Sequence, residues 1–158
     1  MKTATVSQLK KELLLRNPEE LLELCLRLSK FKKENKELLT YLLFEGDDEA
    51  GYITRVKAEL DVWFSEINTT SYYYIKKSVR KILRSLKKFI RYSGNKETEV
   101  ELLLYFCEKL KHFTPPIRRN VALTNLYERQ WLYLEKKIGL LHEDLQYDYG
   151  ILLQSLRG

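Results

Sequence analysis

Apolar residues return every three or four positions along nearly all of this 158-residue chain, and glycines, prolines and cap-forming side chains fall between the periodic stretches. A period near 3.6 marks helices with one buried face, so the chain reads as a succession of helices. The first is expected over about Ser7–Arg16. Asn17-Pro18-Glu19-Glu20 then supplies an N-cap, a proline at the first helical position and a capping-box glutamate, starting a helix that reaches about Ser29. A third spans Asn35–Glu45 and ends at Gly46. Asp47 and Asp48 open a fourth, in which Ile53, Val56, Leu60, Trp63, Phe64 and Ile67 form a stripe expected to be buried.

A fifth helix covers Thr70–Tyr92 and stops near Gly94, after which Asn95 caps a sixth over Lys96–His112. Thr114-Pro115-Pro116 interrupts the pattern, because the residue before a proline is pushed away from helix. A seventh helix follows over Ile117–Ile138, then a break at Gly139 and a last helix over His142–Leu156. Val121, Leu123, Leu126, Trp131, Tyr133, Leu134 and Ile138 spread round most of the seventh, which is therefore expected to be the most central.

The fold class expected is all-α: seven or eight antiparallel helices in one domain over residues 1–158, arranged as a multi-helix bundle or an irregular right-handed stack of helical hairpins. In its amphipathic pairs Pro18 to Phe44 and Asp48 to Tyr92 the chain resembles the HEAT and armadillo class of helical-hairpin proteins. The resemblance is one of architecture; it implies a scaffold and no single chemistry, and no period or motif recurs.

With 44% hydrophobic and 32% charged residues, the composition is that of a folded globular protein. Cys25 and Cys107 form no Cys-x-x-Cys, and each sits among leucines, so both read as small core residues in a reducing compartment. No apolar run approaches the roughly 20 residues of a membrane span, and the N-terminus lacks the apolar core of a signal peptide. A soluble, cytoplasmic protein is expected.

The net charge of +6 has a single origin. Residues 1–66 hold 11 basic and 13 acidic side chains and residues 97–158 hold 8 and 9, whereas 67–96 hold 9 and none. On a helical projection, Lys81, Arg84, Lys88 and Arg91 lie within about 40° of Lys77, with Lys76, Arg80 and Lys87 on one flank. Ile75, Val79, Ile82, Leu83, Leu86, Phe89 and Ile90 point the opposite way. Lys77, Lys81, Arg84, Lys88 and Arg91, with Arg80 and Tyr73, are the candidate binding residues. Tyr72, Tyr73, Tyr74 and Tyr92 stand at the two ends of the helix, where an aromatic ring can stack on an unpaired base or wedge between helices.

No chemistry-bearing motif accompanies this face. His112 and His142 lack a second ligand at metal-binding spacing, the glycines form no phosphate loop, and no serine or threonine has a nucleophile-elbow context. No catalytic residue, metal or cofactor is assigned. The expected function is a non-catalytic scaffold or adaptor docking an acidic protein surface, a partner's or another copy's, on the basic ridge. The alternatives are a DNA or RNA backbone on the same ridge, an enzyme with a site assembled from distant residues, or a ridge neutralised in part by the chain's own carboxylates, Glu59, Asp61 and Glu66 before it and Glu97, Glu101 and Glu108 on the next helix.

Overall fold

The computed structural model describes residues 1–157, and among them the regular structure is helical, with no strand. Eight α-helices follow in order: α1 Val6–Leu14, α2 Pro18–Phe31, α3 Lys33–Thr40, α4 Glu49–Ser65, α5 Tyr72–Ser93, α6 Lys96–Lys111, α7 Val121–Ile138 and α8 Glu143–Ser155. The chain divides into two compact units, 1–43 and 44–158, at a boundary its continuous amphipathic pattern does not mark.

Local chemistry sets the helix ends. Asn17 accepts from the Glu20 amide while Glu20 reaches back to the Asn17 amide, and Thr5 and Gln8 form the same reciprocal box on α1. Asp48 caps α4 through the Gly51 amide, and Asn95 caps α6 through the amides of Glu97 and Thr98. Gly94 ends α5 at φ 66°, a left-handed conformation that costs a residue without Cβ least. Asn35–Glu45 is not one uniform helix: α3 runs to Thr40 and the chain closes through a wider π turn over Tyr41–Glu45. Likewise Ile117–Arg119 is a short 3₁₀ turn, and Asn120 caps α7 behind it.

In the larger unit α6 is the hub, touching α4, α5, α7 and α8. This corrects the expectation that the seventh helix is most central. Val100, Leu102, Leu103, Leu104, Phe106, Cys107 and Leu110 cover the circumference of α6 and are all buried, whereas Val121, Leu132 and Tyr133 leave part of α7 in solvent. Polar contacts fix the order of packing. Glu49 meets Thr98, Lys57 meets Glu101, and Asp61 meets Tyr105 and Lys109, so α4 runs alongside α6 in the same direction. Tyr127 donates to the Leu156 carbonyl at 2.6 Å and Trp131 to that of Leu153 at 3.1 Å, clamping α8 on α7 in the opposite sense.

The smaller unit is different. Among residues 1–43 only Ser29 and Tyr41 are buried, and the leucines of α1 and α2 are largely in solvent. Cys107 is a core residue as expected, but Cys25 is exposed, on a helix α2 of which only Ser29 is buried.

Candidate functional site

The basic face of α5 exists because the opposite face is anchored. Ile75, Val79 and Leu86 have no solvent exposure, and Ile82, Leu83 and Ile90 are buried beside them against α4 and α6. Burying six aliphatic side chains on one side of a 22-residue helix fixes its rotation, so the polar side must face water. Lys77, Arg80, Lys81, Arg84, Lys87, Lys88 and Arg91 are exposed along it, and Lys76 is half-buried. At 1.5 Å per residue the ridge is about 33 Å long.

Among the described residues, nothing neutralises most of these charges. Lys76, Lys77, Arg80, Lys81, Arg84, Lys87 and Arg91 make no hydrogen bond or ion pair with a described residue. Of the carboxylates that stood as their intramolecular partners, Asp61, Glu97 and Glu101 are engaged elsewhere. Glu101 pairs with Lys57 at 2.7 Å, Glu97 accepts from the Tyr149 hydroxyl at 2.9 Å, and Glu99 holds Lys137 at 3.4 Å and accepts from Tyr133. Glu108 borders the hollows beside α4 and α8, not α5.

The tyrosines separate into two roles. Tyr72 donates to the Pro116 carbonyl at 2.8 Å, which ties it to the fold, and Tyr92 packs edge-on against Phe89. Tyr73 and Tyr74 are 64% and 46% exposed, and only they offer open rings at the ridge. Sequence reasoning missed the hollow beside the ridge, where Trp63, Glu66 and Ile67 at the end of α4 face Ser78, Lys81, Ile82 and Ser85 of α5 across about 310 Å³. Its wall is stiffened by Trp63 stacked on Phe89, centroids 5.9 Å apart and 9° from parallel. The available signal was the pair of small residues Ser78 and Ser85, seven positions apart on one flank of α5 next to the cations.

A second hollow, of about 340 Å³, lies where α4, α6 and α8 meet and gathers Lys57, Glu101, Tyr105, Glu108, Lys111, His112 and Tyr149. Its groups are tied to structural partners: Lys111 donates to the Ser155 carbonyl at 2.9 Å, and the His112 ring bonds the Glu108 carbonyl at 3.0 Å. Tyr105 donates to Asp61 at 2.7 Å, and Lys109 lies 2.8 Å from the same carboxylate. These bonds hold the Asp61 carboxyl below its ordinary value, while burial and the bond to Asp61 push the Tyr105 phenol up to about 12. Such a lattice locks helices together and presents no nucleophile held against a base. Among the described residues no three His, Cys, Asp or Glu side chains gather as metal ligands, and no helix is long and apolar enough to cross a membrane. Compared with protein-family models, curated proteins and solved structures, the chain matches none.

Proposed function

We propose that this protein is a non-catalytic, cytoplasmic helical adaptor that docks an acidic protein surface on the α5 ridge. The observation that carries the reading is the row of seven cations without a carboxylate partner among the described residues, on a helix whose rotation the core fixes. Lys77, Arg80, Lys81, Arg84, Lys88 and Arg91 supply the field that speeds encounter, and Tyr73 stands at one end as an exposed contact. The Trp63 hollow supports a protein occupant over a bare phosphate chain. It places an apolar wall of Trp63, Ile67 and Ile82 next to Lys81, which suits a segment carrying carboxylates beside one apolar anchor.

A nucleic-acid backbone is the second reading, favoured by one observation. Lys77, Lys81, Arg84, Lys88 and Arg91 climb the helix in steps of about 4.5 to 6 Å, a regular row against which successive phosphates can lie. Fluorescence anisotropy with a labelled Glu-rich amphipathic peptide, a single-stranded DNA 20-mer and its duplex decides between them. The adaptor reading expects the peptide to bind, and the Lys77→Glu, Lys81→Glu, Arg84→Glu variant to lose that binding while keeping its helical circular dichroism. Tighter binding of the DNA, with a log–log salt slope of roughly five to eight, replaces the first reading with the second. Binding unchanged by the three reversals overturns both.

A further inference from the structure

The hollow beside the ridge has walls of opposite charge. Lys81 and the half-buried Ser78 and Ser85 line its α5 side, Glu66 lines its α4 side, and Trp63 with the buried Ile67 and Ile82 completes the lining. Glu66 and Lys81 border one hollow yet form no ion pair with each other, and neither bonds to any other described residue. This separates Glu66 from the carboxylates of α4 itself. Glu49 accepts from Thr98 and Asp61 from Tyr105, and Glu59 is engaged too. Glu66 is also the last acidic residue before 67–96, which carry none.

Its place on the helix strengthens the contrast. Glu66 is the C-cap of α4, where a 17-residue helix presents the negative end of its dipole, and the last turn holds no basic side chain. Such a terminus favours cations, so Glu66 and the end of α4 form one negative pole at the edge of the cationic ridge. A uniformly acidic segment does not suit both poles. Seated with an apolar side chain on Trp63, Ile67 and Ile82, it meets Lys81 on one side and is repelled by Glu66 on the other. Given an acidic partner on the ridge, a reading on which this step rests, we infer that Glu66 is a specificity residue: the docked segment carries one lysine or arginine within a helical turn of its apolar anchor, and that cation meets Glu66. A cation farther along the segment faces Lys77, Arg80, Arg84 or Arg91 instead, so one position is read opposite to the rest and the register of docking is fixed.

Three labelled peptides test this by fluorescence anisotropy: a Glu-rich amphipathic helix with one leucine anchor, and two versions in which the glutamate one turn before or one turn after that leucine is lysine. Net charge alone makes both lysine peptides bind a cationic ridge more weakly. One of them is nevertheless expected to bind about fivefold more tightly than the all-Glu peptide, the worth of one exposed ion pair. Glu66→Gln removes that gain. Glu66→Lys, an exposed change at a helix C-terminus that favours a cation, keeps the helical circular dichroism and makes the all-Glu peptide the tightest of the three. Acrylamide quenching of tryptophan fluorescence reads whether the hollow is filled, because Trp63 is half-buried while Trp131 is 1% exposed; the favoured peptide lowers it. Lysine peptides that both bind wild type no more tightly than the all-Glu peptide overturn the inference and leave the ridge reading standing. A gain that survives Glu66→Gln, or one without protection of Trp63, overturns it as well. No binding by any of the three removes the ridge reading and this inference with it.

Discussion

At the scale of single residues, the polar groups that lock helices together carry the pH response. Lys109 and Tyr105 both donate to Asp61, and their bonds depress its carboxyl below the ordinary 3.8. A carboxyl depressed in the folded state stabilises above its unfolded pKa, and that contribution vanishes as pH falls through the folded value. Asp61→Asn therefore lowers the urea midpoint slightly at neutral pH, and its difference from wild type disappears in acid; an equal difference at pH 7 and in acid contradicts the assignment. The effect is small because the Asp61 side chain is 47% exposed. Phenols respond in the opposite sense. Burial and the bond to Asp61 raise Tyr105 to about 12, burial and the charges of Cys107 and Glu128 raise Tyr127 to about 12, and burial and Glu97 raise Tyr149 further. Groups raised in the folded state stabilise below their unfolded pKa near 10, and the contribution is lost between about 10 and 12. Ultraviolet titration of the native chain thus shows late-ionising phenols that urea abolishes, and Tyr105→Phe removes one of them. Cys107 is buried and its thiol raised to about 12 by that burial, so maleimide labels it only after unfolding.

At the scale of elements, α6 shows both what a periodic pattern gives and where it stops. Every helix of the fold was legible as a segment because its ends are local chemistry: Asn17, Asp48, Asn95 and Gly94 act as the caps their side chains or backbone freedom predict, and the chain breaks after Ile138 as Gly139 suggests. The stripe of α4 was legible too, with Val56, Leu60, Phe64 and Ile67 buried, although Ile53 and Trp63 are only half-buried. Which helix is central was not legible. Apolar residues spread round both α6 and α7, and only the tertiary arrangement decides which spread receives neighbours on all sides. The same holds for the ridge: its two faces follow from helical geometry, but the alignment of Glu101 with Lys57 and of Glu97 with Tyr149 depends on how α4 and α8 lie against α6. The exposure of Cys25 and its leucines was hidden for that reason as well. If α6 is the hub, Phe106→Ala, which hollows out a site with no solvent exposure, costs about 3–5 kcal/mol in urea unfolding. Leu132→Ala on the open side of α7, at 55% exposure, costs well under 1 kcal/mol.

At the scale of the whole molecule, the charge is concentrated as well as positive. Outside residues 67–96 the chain holds 19 basic and 22 acidic side chains, so a segment of +9 coexists with a remainder of −3. Such a segregation strengthens steering toward a polyanionic partner, and it loads the free protein with self-repulsion. The repulsion is concentrated at Arg84, which has Arg80, Lys81, Lys87 and Lys88 at three- and four-residue steps, each such pair disfavouring the helix by roughly 0.2–0.5 kcal/mol at low salt. Arg84→Gln keeps a good helix former on the exposed face and removes four repulsions while losing no ion pair with a described residue. The variant is therefore more stable than wild type by about 1 kcal/mol at low ionic strength. Near 1 M salt the screening length falls to about 3 Å and the advantage fades. Arg118→Gln, on the exposed 3₁₀ turn beside the start of α5 and about 18 Å of helix from Arg84, leaves stability unchanged at either salt concentration. Urea unfolding of the three proteins across a salt series gives the answer. A loss of stability in Arg84→Gln that shrinks with salt instead means that a carboxylate of the chain meets Arg84 in solution, and Arg84 is then not free to meet a partner.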